Sequence, residues 1–264
     1  MALGRLSQVF RPSASADAPL VLITGAGGLI GRLLRDGLRR DFRLRGMDVR
    51  PGDGVDVVAD STDAEAIRPA FDGVDAVVDL AADPAADAPW DVVRANNIPA
   101  TLNALEAARL AGARRFVFAS SNHVTGLYEN DEPYASIVAG GYDRVPPGYE
   151  RITSRHPIRP DGPYGVGKAV GEAAARFYAE QQGVSAVCLR IGTVNEEGRP
   201  LSPRQFATLL THRDLVELVR RALVAPVDFA IVYGVSANRW RFWDIDEARA
   251  AIGYEARDDA ERWR

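Results

Sequence analysis

Leu20-Val-Leu-Ile-Thr-Gly25-Ala-Gly-Gly28-Leu-Ile-Gly31 passes from an apolar run into glycines spaced by three, then into a helical pattern opening on Leu29, Ile30, Leu33 and Leu34. Strand, glycine turn and helix in that order describe the first βα unit of a dinucleotide-binding sheet. Each glycine has a physical task there. Gly25 permits the tight turn, Gly28 lets backbone approach a pyrophosphate, and Gly31 lets helix and strand pack closely, so helix N–H groups face an anion. A plain βα connection can use the same residues, so a second signal matters. Asp48 supplies it: it ends the next apolar run, Phe42-Arg-Leu-Arg-Gly-Met-Asp48, 23 residues after Gly25. A carboxylate there meets an adenosine ribose and repels a 2′-phosphate, which favours NAD over NADP. Arg45 and Arg50 are the neighbouring cations that could hold a phosphate instead.

Composition bounds the rest. The 264 residues suffice for a full core, and a single domain over 19–264 is expected. Net charge is −4, with both signs interspersed and no basic stripe, which argues against nucleic acid as a partner. Cys188 is the one cysteine, so neither an intrachain disulfide nor a cysteine metal cluster is expected, and it reads as a small buried hydrophobe. No apolar run approaches the ~20 residues of a membrane span. Residues 1–18 carry Arg5 and Arg11 without a continuous apolar core, and read as a terminal arm rather than a secretory signal. A cytoplasmic enzyme follows as the expectation.

Apolar runs alternate with helical patterns along the chain. Val55–Asp60 reads as a third strand, Asp75–Leu80 as a fourth, and a helical stretch with Ala64, Ile67 and Phe71 lies between them. Trp90–Ala111 reads as one long helix, with Asn96 and Asn97 inside it where asparagine is a poor fit. Arg114–Ser120, Val184–Ile191 and Asp228–Tyr233 read as further strands, and Arg213–Ala225 and Asp244–Ile252 as helices. The rhythm is that of an α/β fold, a Rossmann-like, doubly wound parallel sheet of about seven strands with a small C-terminal appendage on the substrate side. Ligands of such sheets bind at the carboxyl edge, where Asp60, Ser61, Ser120 and Ser121 fall. Residues 128–161, rich in Pro, Gly and Tyr, read as an irregular substrate-side lid or an oligomer contact, with a plain surface excursion as the alternative.

Tyr164 and Lys168 stand four apart, so on a helix opening at Pro163 they share one face. A phenol serves as a base where neighbouring positive charge favours its phenolate, and an ammonium together with a nicotinamide cation provides that charge. Ser121 could then hold a substrate oxygen while the phenolate takes its proton. Tyr-x-x-x-Lys pairs are common, so the spacing gains its meaning from the glycine turn upstream.

Thr24-Gly25-x-x-Gly28-x-x-Gly31, Asp48, Asn97, Ser121 and Tyr164-x-x-x-Lys168, in this order, resemble the extended short-chain dehydrogenase/reductase superfamily, the NAD-dependent epimerases and dehydratases, across the whole chain. More narrowly, Phe118–His123, Arg159–Val166, Arg190–Gly192 and Val235–Asn238 resemble uronate dehydrogenases, which oxidise the C1 hydroxyl of cyclic glucuronate or galacturonate with NAD. The resemblance implies Tyr164 as base, Lys168 as its partner and ribose ligand, Ser121 as ligand of the substrate hydroxyl, and Asn97 as support for the lysine-side proton network. It implies a cofactor site of Gly25, Gly28, Leu29, Ile30, Gly31, Asp48, Asp60, Ser61, Leu80, Ala81, Ala82, Asn97, Tyr164, Lys168 and Ile191, with no metal. On the sugar it places Asn122, His123, Thr193 and Arg199, the last as the guanidinium that grips a carboxylate. His123 as a structural hydrogen-bonding group and Arg199 as a solvated loop residue stay open as alternatives.

The substrate side departs from that pattern. Residues 128–161 are longer, Pro203–Leu210 carries extra residues, and Leu80-Ala-Ala-Asp83-Pro84 lacks a serine that would contact the sugar. A related polyol, or a sugar acid bearing other groups, is the expectation. Gly167 stands where serine is frequent. The rival activities are a nucleotide-sugar epimerase or dehydratase, for which residues 192–264 offer little room, and a non-catalytic NAD-binding regulator. A homo-oligomer through the long helices is a further expectation.

Overall fold

The structure, a computed structural model, describes residues 17–264, so the arm expected over 1–18 lies, but for its last two residues, outside the described residues. β1 (Leu20–Thr24) is buried throughout. Its alternate residues serve two cores. Leu20 and Leu22 join Phe71, Leu105, Phe116 and Cys188 on one face, while Val21 and Ile23 join Leu34, Leu38, Leu215 and Leu218 on the other. A strand covered on both faces needs a continuous apolar run, which is why the period-two alternation of a half-exposed strand is absent.

β2 (Arg43–Asp48), β3 (Val57–Val58), β4 (Ala76–Asp79), β5 (Arg115–Ser121), β6 (Ser185–Ile191) and β7 (Phe229–Gly234) complete a sheet of order β3-β2-β1-β4-β5-β6-β7. All pairings are parallel. The chain leaves β1 first toward β2 and then crosses to β4, so the crevice outside β1 and β4 is the switch point where such sheets take ligands. Register brings the strand ends level: Thr24 pairs with Met47 and Asp79, and Ser121 with Ile191.

The helices cover both faces. α1 (Leu29–Leu38) follows β1, and α2 (Arg68–Phe71), α3 (Trp90–Val92) and α4 (Ile98–Leu110) precede β5. Next come α5 (Tyr134–Val138), α6 (Pro163–Gln181), α7 (Gln205–Thr208), α8 (His212–Val224) and α9 (Asp246–Ile252). On one face α6 lies on α4, joined by the Tyr178 hydroxyl donating to Glu106 Oε2 at 2.9 Å. Across the sheet, Gly37 of α1 lets α8 approach, since a Cβ there would stand 2.5 Å from the Val216 side chain. No helix among the described residues is long and apolar enough to cross a membrane.

Three expectations are corrected. The third strand shrinks to Val57–Val58, because the Asp56 carboxylate takes the Gly46 N–H at 2.7 Å and ends regular pairing at this edge. The long helix from Trp90 contains a π turn at Val93–Asn97. Pro99 has no N–H to return to Ala95, and the wider turn absorbs the unmade bond while aiming Asn97 sideways. Residues 128–161 are irregular only in their second half. They carry α5 and a 3-10 turn at Tyr142–Arg144, and they bury Tyr134, Ile137 and Ile152 against Ala207, Tyr233, Val235, Phe242 and Trp243. Ile152 donates to the Phe242 carbonyl at 2.7 Å, and Asp244 N–H to Ile152 at 2.9 Å, so the C-terminal segment clamps this third core over the carboxyl edge.

Candidate active site

Gly25 has φ +64°, and a Cβ on it would stand 3.2 Å from the Leu80 carbonyl group. A Cβ on Gly31 would stand 2.5 Å from the Gly25 oxygen. The first turn of α1, with Leu29 and Ile30, therefore sits directly over the end of β1. Its N-cap, Gly28, makes no side-chain cap, so the opening N–H groups face the crevice unblocked, as a pyrophosphate requires. Asp48 ends β2 beside this turn. Its Oδ2 accepts from Gly27 N–H at 3.0 Å and its Oδ1 from Arg50 N–H at 3.1 Å. Arg45 is turned away, donating to the carbonyls of Ala70 and Asp72 at 2.8 Å each, and so does not attend a ribose phosphate.

The floor of the crevice is tied by Thr24. Its hydroxyl donates to Asp79 Oδ1 at 2.7 Å and accepts from the N–H groups of Leu80 and Ala81, at 3.0 and 3.1 Å, fixing the strand exit that leads to Ala82. Asp79 Oδ2 is buried without a hydrogen-bond partner. Burial pushes this carboxyl up to about 6, against the Thr24 hydrogen bond and the Lys168 charge, which pull it down. Asp60 instead turns on Thr62, accepting from its N–H and hydroxyl at 2.8 Å, and the Ser61 carbonyl accepts from Asn103 at 3.0 Å. Asn97, carried by the π turn, spends its whole amide on Asp83: Oδ1 accepts from the N–H at 2.8 Å and Nδ2 donates to the carbonyl at 3.1 Å. It holds the 80–84 turn, and the structure does not hydrogen-bond it to Lys168.

Tyr164 lies in the first turn of α6 and Lys168 one turn later. The buried Lys168 Nζ donates to the Ala119 carbonyl at 2.7 Å and stands 5.7 Å from the centre of the Tyr164 ring. Gly167 lets α6 close on the π turn, since a Cβ there would meet Val93 at 2.7 Å. Ser121, at the end of β5, accepts from His123 N–H at 3.2 Å. The His123 ring meets the Tyr164 ring edge-on, with centres 5.7 Å apart, and its Nδ1 pairs with Asp161 at 2.7 Å. Sequence reasoning passed over Asp161, although it stands inside the segment that opens α6.

Beneath these groups lies a buried ion pair. Arg190 donates through Nε and Nη2 to the two carboxylate oxygens of Glu172, both at 2.9 Å, while Nη1 reaches the Tyr233 hydroxyl at 3.1 Å. Ser120 also donates to Glu172, at 2.6 Å. Glu172 is one turn past Lys168, so the pair fixes α6 against β5, β6 and β7.

Asn122, Thr193 and a residue that sequence reasoning passed over, Arg204, form one hydrogen-bonded group. The Asn122 amide, turned as its neighbours require, donates to the Ile191 carbonyl at 3.0 Å and accepts from Arg204 Nη2 at 2.8 Å. Arg204 Nη1 donates to the Thr193 hydroxyl at 3.3 Å, and Nε and Nη2 bind Glu129 at 2.6 and 2.7 Å. Thr193 also shares a hydrogen bond with the Thr208 hydroxyl at 2.8 Å. Arg199 is not brought to this group. It is exposed, and its contact is a backbone one, its carbonyl accepting from Asn195 at 2.8 Å.

Residues 21–252 match the model of the NAD dependent epimerase/dehydratase family. The chain is 38% identical to an NAD-dependent glucose-6-phosphate dehydrogenase of Haloferax volcanii, over 92% of this chain and 95% of that one. It is 35% identical to a uronate dehydrogenase of Pseudomonas putida, over 92% and 86%. Among solved structures it is similar to a mutant uronate dehydrogenase from Agrobacterium tumefaciens complexed with NAD, at TM-score 0.77 and 32% identity, covering 93% and 87% of the two chains.

Proposed function

The chain belongs to the NAD-dependent epimerase/dehydratase family, and on that premise we propose that it oxidises the C1 hydroxyl of a cyclic sugar to the lactone. NAD, when bound, supplies the acceptor for the hydrogen and electron pair that leave C1. The glycine turn with the first turn of α1 holds its pyrophosphate, Asp48 its adenosine ribose, and Lys168 its other ribose.

Tyr164 takes the hydroxyl proton at its phenolate oxygen. The observation that carries this reading is the convergence of Tyr164, Lys168 and Ser121 at one edge, with the Lys168 ammonium 5.7 Å from the ring centre. Ser121 donates to the same sugar oxygen and sets its distance from the phenol. His123, steadied by Asp161, packs against the Tyr164 ring and limits its rotation. Asn122 and Thr193 meet the remaining hydroxyls.

The test is NADH formation from NAD with a panel of sugars, followed together with lactone. Equal amounts of NADH and lactone support the reading. NAD that stays bound and unreduced while a nucleotide sugar changes, or NAD binding with no turnover of any sugar, contradicts it.

A further inference from the structure

Three arginines around Ser121 and Thr193 are met by carboxylates of the chain itself: Glu172 holds Arg190, Asp131 holds Arg159 and Glu129 holds Arg204. Arg204 is the decisive one, because its guanidinium also touches Thr193 and Asn122, the groups expected to meet the sugar. A free guanidinium at that point grips a carboxylate or phosphate through two parallel hydrogen bonds. Glu129 already occupies that fork, at 2.6 and 2.7 Å, with its side chain only 14% exposed. An anionic substrate group would have to displace Glu129, and the displaced carboxylate would then face the new anion across a half-buried site.

We infer that Glu129 is a specificity-determining residue: by filling the Arg204 fork it makes the site one for an uncharged aldose, in preference to a uronic acid or a sugar phosphate. The inference rests on the reading of the chain as a sugar C1 dehydrogenase and names its substrate class. With the pair in place, Glu129 offers acceptors and Arg204 donors to neutral sugar hydroxyls, and neither charge is left for a substrate to cancel. The far end of the sugar is selected by what the pair excludes.

The experiment compares kcat/KM for NADH formation with glucose, galactose and arabinose against glucuronate, galacturonate and glucose 6-phosphate, in the wild type and in Glu129→Gln. The wild type is expected to favour the best neutral sugar over the best anionic one by at least tenfold. Glu129→Gln keeps the side-chain shape and leaves Arg204 with uncancelled charge, so it should shift that ratio toward the anionic sugars by at least tenfold. A wild-type ratio below tenfold, or a ratio unmoved in a folded Glu129→Gln, overturns the inference while leaving the dehydrogenase reading intact. The wild-type ratio decides if the variant does not fold. No NADH from any of the six sugars by NAD-bound protein overturns the dehydrogenase reading and the inference together.

Discussion

The two halves of the carboxyl edge are built by different means. The half we assign to NAD is mostly backbone: glycines at close approach, helix N–H groups, and side chains such as Thr24 and Asp48 that bind main-chain groups of the turns beside them. The half we assign to the sugar is side chain on side chain, with Arg204 on Glu129 and His123 on Asp161, drawn from segments far apart in the chain. Backbone geometry tolerates little change and keeps one ligand. Side-chain pairs can be exchanged one at a time, so the half that they build is where a sugar dehydrogenase can change its sugar.

The buried Glu172–Arg190 pair, which ties α6 to the sheet, should show the largest effect. Glu172→Gln leaves Arg190 buried beside an uncharged partner, and is expected to cost about 3–5 kcal/mol in urea unfolding. A loss below about 1 kcal/mol would mean that α6 does not depend on this pair. Asp79 follows. In the folded chain its carboxyl is raised from 3.8 to about 6, so between those values the folded state holds a proton that the unfolded state releases. Its contribution to stability is therefore present at low pH and lost as pH rises through that interval, by about 3 kcal/mol in all. Asp79→Asn should remove this slope from unfolding free energies measured between about pH 4 and pH 7. An unchanged slope would show that the cofactor floor is not where the proton sits.

Gly31→Ala places a methyl group against the Gly25 carbonyl, and overpacking of this kind costs about 1–3 kcal/mol. NAD affinity should fall with it, while the substrate half keeps its structure. Equal NAD affinity in the variant would break the claim that backbone approach defines the cofactor half. Arg199→Ala should do least. An exposed charge contributes little, so kcat/KM is expected to change by about fivefold or less for any sugar. A larger loss confined to anionic sugars would return the carboxylate grip to Arg199.

Legibility in the sequence follows the same division. The βα unit from Leu20, the parallel sheet and the placing of Tyr164 and Lys168 on one helix were readable, because buried runs, glycine spacing and helical spacing are local signals. Asn96 and Asn97 marked the long helix as unusual, yet the π turn also needed Pro99 and the 80–84 turn to be seen together. Residues 128–161 read as irregular, since α5 and Ile152 bury themselves only against Phe242 and Trp243, far along the chain. Arg204 was missed for the same reason. Its partner Glu129 is 75 residues away, no periodicity links them, and Arg199 offered the same functional group nearby.

The most direct test of proton abstraction is turnover by Tyr164→Phe at saturating sugar, with NAD affinity measured on the same preparation. Tyr164 as the base predicts NADH formation reduced about 10²–10⁴-fold with NAD affinity within about threefold of wild type. Turnover within tenfold of wild type, by protein that binds NAD normally, would contradict it.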